Sequence, residues 1–274
     1  MPSCQPIGVF DSGYGGLTVL KSIVKKLPSY DFIYLGDNAR APYGNRSFET
    51  VYQYTRECVQ WFFSRGCPLV ILACNTASAK ALRTIQQQDL LESGTANRVL
   101  GVIRPTTELA GLLSKSGHVG ILATSGTVNS ESYVLEINRF FPHVKVFQQA
   151  CPLWVPIIEN NEHEAPGADY FVKKYAGELL QQSSKIDTVV LACTHYPLLM
   201  DKLRKCMPDS IKLVAQGDIV ADSLVRYLKN HPEMDDRCSK QGKLSFFTTD
   251  DNTDFDRHGG YFYGEGVRSE RVFL

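Results

Sequence analysis

Several things are missing from this 274-residue chain, and each absence narrows its function. No apolar run approaches the roughly 18 residues that a membrane helix needs, so no span is expected. The opening MPSCQPIGVF has neither a basic start nor an apolar stretch of signal length, and the expected location is the cytoplasm. There is no excess charge of either sign: 29 Lys plus Arg balance 29 Asp plus Glu. A neutral chain without a basic block offers no footprint for nucleic acid or an anionic membrane as its main partner. The eight cysteines form no C-x-x-C pair, which reads as reduced thiols and not a disulfide framework. His118, His143, His163, His231 and His258 lack the spacings of a zinc site, so no metal is expected. Neither a dinucleotide fingerprint nor a phosphate-binding G-x-x-x-x-G-K-[ST] loop occurs.

What remains is an ordinary globular balance, 43% hydrophobic and 21% charged, long enough for one large domain or two modest ones. Short β-branched runs alternate with helical patterns. The expected strands are Ile7–Phe10, Asp31–Leu35, Leu69–Ala73, Val99–Ile103, Val119–Ala123, Val144–Phe147, Thr188–Ala192 and Ile211–Val214. Ser47 is positioned to cap a helix that runs until Gly66 and Pro68, and another helix carries Leu17, Leu20 and Ile23 up to Pro28. Alternation of this kind predicts an α/β fold with parallel sheets covered on both faces. The pattern also repeats: IGVFDSG from Ile7 matches VGILATSG from Val119, and LVILACNT from Leu69 matches TVVLACTH from Thr188. In the second match Cys74 and Cys193 superpose. A duplicated α/β unit would place both at the carboxyl ends of strands, where such sheets bind ligands.

Cys74 precedes an alanine-rich helix, where the helix dipole and amide donors are expected to draw a thiol from about 8.5 toward neutrality. Cys193, followed by Thr194 and His195, is expected to share that placement. A lone cysteine usually serves as a small buried hydrophobe; two at equivalent strand ends point to chemistry. Asp11-Ser12-Gly13-Tyr14-Gly15-Gly16, between a strand and a helix, reads as a carboxylate-binding turn with one acid. Cys151 lies among prolines and reads as structural. Glu159 ends an apolar run, and Asp37 to Gly44 reads as a turn-rich loop.

VFDSGYGGLTVL, YLGDNARAPYG, ILACNTASA, ACPLWVPIIE, LACTHYPLL and GDIVADSL, in that order, resemble the signatures of glutamate racemases, within the aspartate/glutamate racemase family. His195 after Cys-Thr resembles the glutamate branch, and Thr106 departs from a common glycine. The resemblance implies two similar doubly wound α/β domains in a pseudo-twofold relation, with the active site in the cleft between them. The first would span 1–98 plus 210–274, taking back the GDIVADSL helix and the LSFFTTDD strand, and the second 99–209. It implies cofactor-independent interconversion of L- and D-glutamate by two cysteines, without pyridoxal phosphate. Asp11 would support Cys74; Glu159 and His195 would support Cys193. Asp11, Ser12, Tyr43, Gly44, Asn75, Thr76, Thr194 and His195 would bind substrate, with Cys74 the base toward D-glutamate and Cys193 toward L-glutamate. A homodimer, a role in peptidoglycan synthesis and, in some bacteria, activation by a cell-wall precursor belong to the same implication. A related decarboxylase and a non-catalytic amino-acid-binding protein stay open beside it.

Overall fold

The computed structural model describes residues 5–264 and 266–274. Cys4 lies outside the described residues, and Cys58, Cys67, Cys74, Cys151, Cys193 and Cys206 are free thiols. In chain order the strands are β1 Ile7–Asp11, β2 Phe32–Gly36, β3 Leu69–Leu72, β4 Arg98–Gly101, β5 His118–Ala123, β6 Lys145–Ala150, β7 Thr188–Ala192, β8 Lys212–Val214, β9 Leu244–Thr248 and β10 Ser269–Arg271. They form two sheets, ordered β10-β9-β2-β1-β3-β4 and β6-β5-β7-β8. Every ladder is parallel. Strands β1, β3 and β7 are buried along their whole length, as unbroken apolar runs covered on both faces should be.

The strand order explains the sequence repeat. β6-β5-β7-β8 reproduces the last four strands of the larger sheet, β2-β1-β3-β4, strand for strand. In both units the repeated first strand pairs with the strand that ends at a cysteine. One apolar core runs from Ile7, Val9 and Leu20 through Trp154, Leu191 and Tyr196 to Phe255. The two sheets therefore share packed surface, which fixes the cleft between them. Helix Phe48–Ser64 begins as expected, the Ser47 hydroxyl accepting from Thr50 N at 3.1 Å. It stops before Gly66, whose φ of +84° suits glycine.

Several elements differ from expectation. The strand placed at Val99–Ile103 ends at Gly101, and Ile103 opens a helix running to Leu113. Pro105, which lacks an N–H, is tolerated only in that helix's first turn and so marks its start. Thr106 sits inside this helix, its hydroxyl donating to Val102 O at 2.7 Å. Strand β6 runs on through Gln148 and Gln149 to Ala150, because an edge strand is half-buried and accepts polar residues. The short polar β10 offered no apolar run to read. Sheet pairing also crosses both expected domain boundaries: β4 stays on β3, and β8 on β7.

The C-terminal part returns to the first sheet through Asp31, just before β2. Its Oδ1 accepts from Gln241 N at 2.9 Å and Lys243 N at 2.7 Å, and β9 then pairs with β2. Burial works against the charged carboxylate, but bonds from Ser239, Lys243 and Gln241 outweigh it and hold Asp31 below its ordinary value. A carboxyl that ionises lower in the folded chain stabilises above the unfolded value, about 4, and loses that contribution as pH falls through the folded one. Asp31→Asn should therefore lower Tm by about 2–4 °C at neutral pH. It should also flatten the acid limb of a Tm-against-pH curve; an unchanged curve would remove this anchor.

Candidate active site

Cys74 follows β3 and caps helix Asn75–Lys80. Its sulfur accepts from Ala77 N at 3.4 Å and lies 3.4 Å from the Ser12 hydroxyl. The helix start is thus as expected, but its effect on the thiol is outweighed. Burial, with the nearby Asp11 charge added, pushes Cys74 up to about 12. The Ser12 and Ala77 bonds pull it back by less. In a site this dry, removing water from a thiolate costs more than one helical turn returns. Asp11, which ends β1, is itself pushed up by burial, against the pull of His195 and the amides of Gly13 and Gly16. Gly13 N donates to Asp11 Oδ2 at 3.0 Å.

Cys193 directly follows β7 in the other sheet, but it caps no α-helix: a short 3-10 turn, Tyr196–Leu199, comes next. A histidine takes the place of the helix amide. His195 Nδ1 is 3.8 Å from the Cys193 sulfur, and Nε2 is 2.9 Å from Glu159 Oε1. Glu159 is the last residue of helix Trp154–Glu159 and 24% exposed at its side chain. Burial disfavours a charged imidazole, yet the Cys193 sulfur and the Glu159 carboxylate outweigh it and raise His195 well above the usual histidine range. A charged imidazole thus faces the Cys193 sulfur. The Phe262 ring packs edge-on against His195 at 5.3 Å. The environments of the two thiols are therefore opposite in kind.

Between them lies a cleft of about 620 Å³, its open mouth included. Ser12, Tyr43, Gly44, Asn75, Thr76, Glu159, Thr194 and His195 line it with both cysteines. Asp11 sits behind this lining, accepting from Thr194 Oγ1 at 3.4 Å. Tyr43 and Asn75 are present with their side chains already engaged. The Tyr43 hydroxyl donates to Asp37, leaving the Tyr43-Gly44 backbone and the ring to face the cleft. Asp37 also accepts from Arg40 Nε at 2.7 Å and Thr249 Oγ1 at 2.8 Å, so the loop is clamped and not a plain surface connection. Asn75 Nδ2 donates to Gln216 Oε1 at 2.6 Å, while Tyr133 Oη donates to Asn75 Oδ1 at 2.7 Å.

Three lining or supporting residues were not anticipated. Thr124 lines the cleft and bonds Thr76 across the two units at 3.0 Å. The repeat held a signal for it, since Thr124 is the counterpart of Ser12. Gln216 locks Asn75 from a distant helix start, for which no local pattern exists. Cys151 lines the cleft too, buried and held well above the usual thiol range by burial and then by the Cys193 charge. Among the described residues no three His, Cys, Asp or Glu side chains group to hold a metal ion. No described helix is long and apolar enough to cross a membrane.

Two thiols at matched strand ends of a duplicated parallel α/β fold agree with what the chain is similar to. The Asp/Glu/hydantoin racemase family matches residues 7–224. The chain belongs to this family of isomerases. A glutamate racemase of Geobacter metallireducens is 40% identical over 260 residues, covering 95% of this chain and 93% of the relative. The structure of glutamate racemase isoform RacE1 from Bacillus anthracis superposes with a TM-score of 0.88 at 30% identity, covering 98% of each chain. That of the Francisella tularensis glutamate racemase, in complex with D-glutamate, gives 0.87 at 30% identity, covering 98% of this chain and 97% of the other.

The racemase site tolerates no side chain at Gly15. A Cβ there would fall well inside contact distance of Thr194 Oγ1 and His195 Nδ1. Thr18 ties the same turn to the second unit, donating to Thr194 O at 2.9 Å. Gly15→Ala should move His195 off Cys193 and reduce kcat/KM by roughly a hundredfold or more, with far-ultraviolet circular dichroism and Tm near wild type. Wild-type turnover in this variant would mean that His195 placement does not matter.

Proposed function

We propose that the protein interconverts L- and D-glutamate, without a cofactor, by proton transfer at Cα between Cys193 and Cys74. The observation that carries this reading is the pairing of two thiols in one cleft with opposite supports, Asp11 behind one and His195–Glu159 behind the other. Racemisation breaks a Cα–H bond on one face and forms a new one on the other, so one flanking group must begin as base and its partner as acid. Cys74, protonated at neutral pH, fits the acid. Cys193 beside the charged imidazole fits the base.

With L-glutamate the Cys193 thiolate takes the Cα proton, and negative charge passes from Cα into the α-carboxylate. Fixed neutral donors around the cleft, Ser12 and the Asn75-Thr76 and Thr194 segments, stabilise that charge in a water-poor site. Cys74 then returns its proton to the opposite face. The enzyme ends with Cys193 protonated and Cys74 ionised, the arrangement that D-glutamate needs. Asp11, raised by burial, is a neighbouring acid able to share a proton with the ionised Cys74. Glutamate as the substrate is supported by relatives bearing that name across almost the whole chain. Supply of D-glutamate for peptidoglycan, a cytoplasmic location, a homodimer and the division into 1–98 plus 210–274 and 99–209 rest on the family resemblance. For the division, sheet pairing favours edges shifted to keep β4 in the first unit and β8 in the second.

Cys74→Ala and Cys193→Ala should each lower racemisation by roughly a thousandfold or more, followed by circular dichroism of the amino acid. Turnover close to wild type in either would defeat the two-thiol reading. In deuterium oxide, D-glutamate formed from L-glutamate should carry deuterium at Cα from the first turnovers, while unreacted L-glutamate stays unlabelled. Substrate hydrogen carried into product would instead point to one base serving both faces.

A further inference from the structure

Lys80 is a buried ammonium at the cleft wall that this proton transfer does not use. It ends helix Asn75–Lys80, one turn beyond Thr76 and on the same face. Its Nζ donates to Arg46 O at 2.6 Å, in the loop that carries Tyr43 and Gly44. The ammonium stands 3.0 Å from where a Cβ on Gly126 would lie, and Gly44 O is 2.7 Å from that same point. Gly126 N donates to Gly44 O at 2.8 Å. Lys80 Nζ is thus directly behind the wall formed by Gly44 and Thr124.

Among the described residues no carboxylate pairs with it. Burial alone lowers its pKa, with no neighbouring charge contributing. An ammonium partly withdrawn from water without a counter-charge is costly, and an anion that arrives with the ligand offsets the cost. The far side of the cleft carries the acids, with Glu159 in the lining and Asp11 behind it, and His195 already paired to Glu159. A dicarboxylic amino acid between the two thiols avoids like charge by turning its ammonium toward those acids. Its side-chain carboxylate would then face Thr124 and Gly44, which line the cleft.

We propose that Lys80 is a specificity-determining residue, selecting amino acids with a side-chain carboxylate through a buried positive charge behind Gly44 and Thr124. This rests on the reading that the cleft takes glutamate. The test compares D-glutamate with D-glutamine, equal in shape but neutral at the side chain, by ligand-observed NMR titration of wild type, Lys80→Gln and Lys80→Arg. Gln keeps a donor for Arg46 O and removes the charge; Arg keeps the charge. Lys80→Met serves as a second neutral variant if Lys80→Gln does not fold. The neutral variant should bind D-glutamate about tenfold more weakly, while D-glutamine changes by less than about twofold and Lys80→Arg stays nearer wild type. Equal weakening of both amino acids would reduce Lys80 to a loop support, and unchanged D-glutamate affinity would also overturn the proposal. Because binding is read separately from turnover, a protein that bound D-glutamate without racemising it would contradict the activity and leave the role of Lys80 decided on its own terms.

Discussion

The 2.9 Å contact between Glu159 and His195 is the interaction on which the cleft depends. Burial is the largest influence on the His195 imidazole and acts against its charge; the Cys193 sulfur and the Glu159 carboxylate together outweigh it. A cation therefore stands 3.8 Å from Cys193 and sets that sulfur apart from Cys74, which has a buried acid behind it instead. The proposed mechanism needs two thiols that differ in proton content at the moment substrate arrives. On the proposed mechanism, identical thiols acquire that difference from unlike neighbours.

Duplication supplies the symmetry, and the additions to it supply the difference. Strands β1 and β5 are equivalent, as are β3 and β7, so both cysteines arrive at strand ends facing one cleft. Beyond that the two sides diverge. Asp11 has Ala123 as its counterpart, so the second unit lacks an acid at that position and takes one from helix Trp154–Glu159. The turn at Gly15 joins the two halves, because only a residue without a side chain lets Thr194 and His195 lie against it. Anchors farther out serve the same rigidity: Gln216 and Tyr133 hold Asn75, and Asp37 holds Tyr43. These contacts keep the two faces of the cleft in register.

Much of the architecture was legible because parallel strands announce themselves. The runs at Ile7, Leu69, Val119 and Thr188 are buried on both faces and therefore unbroken by polar residues. Where burial is partial the signal fades, so β6 was read short and β10 was not read. The family signatures gathered residues that do meet in the cleft, Ser12, Thr76, Glu159 and His195 among them. What stayed hidden depends on three-dimensional surroundings. The helix start after Cys74 was visible, but the dryness that outweighs its effect on the thiol was not. The direction of the Tyr43 hydroxyl, turned inward to Asp37, is likewise decided by residues as distant as Thr249. Thr124 was within reach, one step along a repeat already recognised.

The central claim is that a charged imidazole, His195, stands beside Cys193, while Cys74 has a buried acid behind it and no such cation. The nitrogen-15 shifts of His195, followed by NMR between about pH 5 and 8 in wild type and Glu159→Gln, test it most directly. The account predicts an imidazolium in wild type at neutral pH, with a titration midpoint that falls in Glu159→Gln. A neutral His195 ring in wild type at neutral pH would contradict it.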